Sequence, residues 1–157
     1  MLLKLLGCLM LLGTGTLAAL SLNLYEKRRL SVLDGWLDLI FYIRTQIDCY
    51  LTPIEQIFAD APPSLTEACM GDRHTKTPSE LLKHSRFYLD HDAFRLLDSF
   101  AREIGSCYRE EQVKRCDYYI TSLRNLREKQ TTALPARLRA RSALCLCAAF
   151  GLAILLW

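Results

Sequence analysis

Residues 30–54, LSVLDGWLDLIFYIRTQIDCYLTPI, decide the fold class. Leu30, Leu33, Leu37, Ile40, Ile43, Ile47, Tyr50 and Ile54 recur at steps of three and four, which winds one apolar stripe along a long amphipathic helix. A break is expected at Thr52-Pro53. There Thr52 serves as N-cap, Pro53 as first helical residue, and Glu55, three places after Thr52, completes a capping box for a short second helix. Ala61-Pro62-Pro63-Ser64 ends that helix, because a proline disfavours the α conformation in the residue before it.

Working outward toward the carboxyl end, residues 70–77 (MGDRHTKT) read as a polar loop, and Thr77-Pro78-Ser79-Glu80 repeats the cap pattern. Leu81, Leu82, Phe87 and Tyr88 give the next helix its apolar side. Asp90 or Asp92 caps another, lined by Phe94, Leu97, Phe100, Ala101 and Ile104 and closed by Gly105. Ser106 is placed to cap a last long helix that turns Val113, Cys116, Ile120 and Leu123 inward, with Pro135 expected to interrupt it. No alternating strand pattern of useful length occurs. The expectation is an all-α bundle of about five or six helices, several too short to stand without packing on each other.

The two ends differ from this middle. Apart from Lys4, every Lys, Arg, Asp and Glu lies between Glu26 and Arg141. Residues 5–25 carry no charge and as a helix measure about 31 Å, the thickness of a bilayer's hydrocarbon core. Residues 142–157, SALCLCAAFGLAILLW, give about 24 Å, slightly short of the usual span, with Trp157 suited to an interface. Lys27, Arg28 and Arg29 follow the first run, and Arg137, Arg139 and Arg141 precede the second. By the positive-inside rule the middle is therefore cytoplasmic. The division is then 1–25 and 142–157 as transmembrane helices around a domain at 26–141. Two other readings stand beside it: a cleaved signal peptide releasing a secreted helical domain, with Thr16-Leu17-Ala18 as the cleavage site, and a C-terminal helix buried in a soluble core.

Length and charge narrow the function. At 157 residues and a net charge of +3, the chain holds one domain at most. The middle carries 19 basic residues once Lys4 is set aside, against 17 acids, too balanced for a nucleic-acid footprint. Seven cysteines without a CxxC pair read as reduced thiols. His84 and His91 lie seven apart, about 10 Å along a helix axis, too far for one metal ion unless the chain bends. His91-Asp92 and Cys69 to His74 are the remaining ligand-like groupings. No phosphate-cradling glycine loop, GxSxG or HExxH is present. No enzyme, cofactor or small-molecule substrate is therefore expected. The alternative is a membrane-anchored sensor or small-ligand bundle, with His84 or His91 on a haem. The run Arg109-Glu110-Glu111-Gln112-Val113-Lys114-Arg115 opens the last helix, with Glu110 and Lys114 spaced as an i, i+4 pair, and reads as a solvated face or a partner-binding one.

Four places together resemble the stage III sporulation protein AB family of endospore-forming bacteria. They are the Met-Leu-Leu-Lys-Leu-Leu-Gly start ahead of Lys27-Arg28-Arg29, the stretch from Thr45 to Ile54 with its Thr-Pro, Ile104-Gly105-Ser106 with Arg109 to Lys114, and the arginine-flanked apolar end with Gly151. Gln46, Cys49 and Tyr108 depart from the family's Glu, Tyr and Asp. The resemblance implies a non-enzymatic membrane component of the channel apparatus between mother cell and forespore, in the mother-cell membrane. It also implies a helical cytosolic domain similar to the platform protein of type II secretion and type IV pilus machines. Such a scaffold would engage a cytosolic secretion-type ATPase and other channel subunits. Arg109, Glu110, Glu111, Gln112 and Lys114, with the Thr52-Pro53 turn, are the candidate contact residues.

Overall fold

The apolar stripe of residues 30–47 belongs to a helix far longer than the stripe itself. In the computed structural model α1 runs over Leu2–Thr45 and widens into a π turn at Gln46–Tyr50. Short helices follow: α2 (Ile54–Ala59), α3 (Pro63–Ala68), α4 (Pro78–Ser85) and α5 (His91–Glu103), before α6 (Arg109–Leu156). The structure describes residues 2–50, 52–71 and 77–156; within the helices the side chains of residues 2–9, 11, 12, 55, 137, 145, 146, 149, 150 and 152–156 lie outside the description. Every regular element among the described residues is helical, as the spacing predicted.

The chain divides into two compact units, Arg28–Lys129 and the paired termini Met1–Lys27 with Gln130–Trp157, and α1 and α6 contribute to both. In the first unit α1 buries Val32, Leu33, Trp36, Leu39, Ile40, Ile43 and Ile47. Against them pack Leu81 and Leu82 of α4, Leu97 and Phe100 of α5, and Cys116, Tyr119, Ile120 and Leu123 of α6. Fully burying such a side chain contributes roughly 1.5 to 3 kcal/mol, which is why the short helices hold only in company. The sequence stripe missed Trp36, the largest fully buried side chain. Its indole N–H donates to Ser85 Oγ at 3.1 Å, and that hydroxyl in turn donates to the Leu81 carbonyl at 3.0 Å, so the polar atoms carried inside are satisfied. Gly35 sits where α1 meets the end of α3: a Cβ there would lie 2.8 Å from the Ala68 carbonyl carbon.

Several expectations are corrected. Tyr50 is 69% exposed, because the π turn adds a residue to the last helical cycle and rotates it off the buried side. Phe87 is also exposed, lying past the end of α4. Pro53, not Thr52, occupies the N-cap of α2, and its carbonyl accepts from the Gln56 and Ile57 N–H groups at 3.0 Å each. Glu55's side chain, which would close the expected box, lies outside the described residues, as do Leu51 and residues 72–76 with His74. Pro62-Pro63 does more than end a helix, since Pro63 opens α3. The second cap holds as predicted: Thr77 Oγ1 accepts from the Glu80 N–H at 3.3 Å. Asp90 takes the N-cap position of α5, but its carboxylate reaches Arg29 at 3.4 Å instead of the helix end. Ser106 does not cap α6; its hydroxyl donates back to the carbonyl of Glu103, the last residue of α5, at 2.6 Å, and α6 starts three residues later. Nor does Pro135 interrupt α6. It forfeits one backbone hydrogen bond, and its place on the exposed side leaves room for its ring.

In the terminal unit Arg141 donates to the buried Glu26 carboxylate at 2.5 Å, joining α1 to α6. Among the described residues no helix is long and apolar enough to cross a membrane, and the apolar runs 5–25 and 142–157 lie partly outside the described side chains. Of the basic flanks, Lys27 and Arg139 are exposed and the Arg137 side chain is outside the description. Arg28 lies 5.8 Å from the Tyr88 ring centroid, and Arg29 donates to the Tyr88 carbonyl at 3.2 Å.

Candidate functional site

Two segments far apart in sequence, residues 44–54 and 105–117, meet at one corner of the Arg28–Lys129 unit. Gly105 makes the approach possible. It adopts φ +88°, a left-handed conformation that costs glycine little, and so turns the chain from α5 into α6. Gln112, on the first turn of α6, is 3% exposed, and its Oε1 accepts from the Gly105 N–H at 3.3 Å. Gln112 is thus buried in the corner instead of displayed on the helix surface. It fixes the corner from within.

A chain of charges fastens the same corner. Arg44 donates to both Asp117 oxygens, at 2.6 and 3.3 Å, and lies 3.7 Å from Asp48. Asp48 also receives Arg109, through its carboxylate at 3.3 Å and through its backbone carbonyl. The hydrogen bond to Asp117, with the carboxylates around it, raises the Arg44 pKa. Beneath this surface chain, burial pushes the Cys116 thiol up to about 11, with the Asp117 charge adding to it, so Cys116 is a neutral core side chain and no nucleophile. Cys69 is raised likewise, chiefly by burial.

The predicted contact residues separate onto two sides of α6. Thr52, Pro53, Arg109 and Gln112 line a common pocket of about 190 Å³, completed by Ile47, Ile54, Gly105 and Cys107. Glu111 and Lys114 instead line a groove of about 420 Å³ against α5, with Leu96, Ser99, Glu103 and Tyr118. There Arg115 bridges Glu111 at 2.9 Å and Glu103 at 3.4 Å, while the Tyr119 hydroxyl donates to Glu103 at 2.9 Å. Burial first, then that hydrogen bond, pushes the Tyr119 hydroxyl up to about 12. The i, i+4 ion pair of this run is thus Glu111–Arg115 and not the expected Glu110–Lys114. Glu110 is exposed and lines neither cavity, and Tyr108 beside it is 91% exposed. The spacing explains the split: positions 109 and 112 share one side of a helix, and 111, 114, 115 and 118 the other. Sequence reasoning named the residues but could not see that the Thr52-Pro53 turn and the α6 start close one pocket. It missed Tyr118 and the Arg44–Asp117 pair, for which an arginine and an aspartate 73 positions apart give no local signal.

Among the described residues no group of three or more His, Cys, Asp or Glu side chains is disposed to hold a metal ion. Comparison finds neither a curated protein nor a solved structure that matches the chain. Residues 4–157, nearly the whole length and including both segments of the corner, match the model of the stage III sporulation protein AB family, and the chain belongs to that family.

Proposed function

We propose that this sporulation protein is a non-enzymatic scaffold, held in the mother-cell membrane by its two terminal helices, whose cytoplasmic helical domain docks a secretion-type ATPase of the channel between mother cell and forespore. The observation that carries the reading is the corner itself. Two segments singled out from sequence as contact candidates converge there, and their ionic and hydrogen-bonded partners hold the backbone in place while Tyr50, Tyr108 and Glu110 remain exposed. A rigid frame carrying exposed aromatic and charged side chains suits protein recognition, since little ordering entropy is lost on binding.

Membrane attachment is supported by the terminal unit. Met10, Leu17, Leu20 and Leu24 of α1 and Leu144 of α6 are exposed apolar side chains of the kind that lipid-facing positions carry. The Thr16 and Ser21 hydroxyls donate to the carbonyls of Gly13 and Ala18 at 2.9 Å each, which spares them the cost of meeting lipid unsatisfied. A change of charge at the corner tests the docking reading: full-length protein carrying Tyr108→Lys and Glu110→Lys, two exposed positions, extracted in detergent from sporulating cells, is expected to lose the ATPase on co-purification. Undiminished recovery of the ATPase contradicts it.

A further inference from the structure

The pocket at the corner contains a donor that the protein leaves unused. Gln112 is almost wholly buried and lines the cavity, and its Oε1 is committed to the Gly105 N–H. That bond settles which end of the amide is oxygen, because the reverse orientation would set N–H against N–H. Its –NH2 group accordingly points elsewhere, and among the described residues nothing accepts from it. Among the described residues the fully buried side-chain polar atom without a partner is Asn23 Oδ1, so the Gln112 amide, on a residue that lines the pocket, is not fully closed off from solvent. The rest of the lining is mixed: Ile47, Pro53 and Ile54 are apolar, with the Cys107 thiol, Thr52 and the Arg109 guanidinium beside them and Gly105 at the turn.

Size and charge define the occupant. About 190 Å³ is below the roughly 300 Å³ at which cofactor and drug-sized sites begin, and slightly above the roughly 150 Å³ that holds a benzene ring. That is room for a single side chain of leucine size. The cation at the rim, Arg109, is already answered by Asp48, and Arg44 by Asp117, so no uncompensated positive charge asks for a carboxylate. We propose that this pocket is an anchor site for one leucine-sized side chain of a partner protein, whose neutral backbone carbonyl accepts from the Gln112 amide. The proposal rests on the docking reading above and gives it a chemical content.

The test uses the full-length chain in detergent with isotopically labelled isoleucine methyl and glutamine side-chain amide groups. N-acetyl-leucinamide, neutral and carrying the side chain, is expected to shift the Ile47, Ile54 and Gln112 signals saturably, with a Kd of about 1–10 mM, as befits a ligand of so few atoms. N-acetyl-glycinamide should leave them in place. Gln112→Met should weaken binding several-fold. Because that change also removes the Gly105 contact, Thr52→Leu, which fills the pocket from its wall and keeps Gln112, should weaken it as well. Absence of a saturable shift from the leucine compound, or tighter binding of the charged N-acetyl-leucine, overturns the proposal. Either result leaves the ATPase co-purification free to succeed or fail by itself.

Discussion

The same four-residue signal, Thr-Pro-x-Glu, occurs at Thr52–Glu55 and at Thr77–Glu80, and the two copies end differently. At the second, Thr77 spends its hydroxyl on the Glu80 N–H, and α4 settles onto the core through Leu81, Leu82 and the Ser85 bond to Trp36. At the first, the cap position passes to Pro53, which has no side-chain oxygen to offer, and Thr52 becomes part of a pocket wall. Local capping chemistry is worth only about 1 kcal/mol, so tertiary demands can override it. The π turn before Thr52 and the left-handed Gly105 opposite it are those demands. One copy builds stability; the other has been released to shape a surface.

Four substitutions break or sharpen this contrast. Trp36→Ala removes the floor under α4, leaving a cavity and a Ser85 hydroxyl that donates but no longer accepts a hydrogen bond, and should cost about 3–5 kcal/mol in denaturant unfolding. Gly105→Ala forces a side chain into φ +88° and places its Cβ 3.3 Å from Ile54 Cδ1, for an expected cost of about 1–2 kcal/mol and visible shifts of the corner residues. Thr77→Ala should cost about 1 kcal/mol, read from the same unfolding curves, through loss of a working cap. Thr52→Ala should change stability by less than about 0.5 kcal/mol, since its hydroxyl caps no helix. Equal costs at Thr52 and Thr77 would erase the distinction between the two copies.

Much of the fold was legible because periodicity reports burial. Leu33, Ile40, Ile43, Leu97, Phe100, Cys116, Ile120 and Leu123 were read from spacing and are buried. Trp36 escaped because it falls one place before Leu37 in the stripe, and which flank of a wide apolar face turns deepest depends on the helices that pack on it. Tyr50 was misplaced because the stripe assumes a 3.6-residue period that the π turn abandons. At the site, Arg109 and the Thr52-Pro53 turn were nameable one by one. Their meeting, and the burial of Gln112 beneath them, depended on the chain reversal at Gly105, which a sequence registers only as a stop signal.

The central claim is that the corner, and not the α4 side, faces a partner. Photo-crosslinking in sporulating cells tests it directly, with the reactive residue placed at Tyr108, 91% exposed at the corner, or at Phe87, 73% exposed just beyond α4. Adducts with the secretion-type ATPase from position 108 and none from position 87 are the expected result; the reverse pattern, or equal adducts from both, contradicts the account.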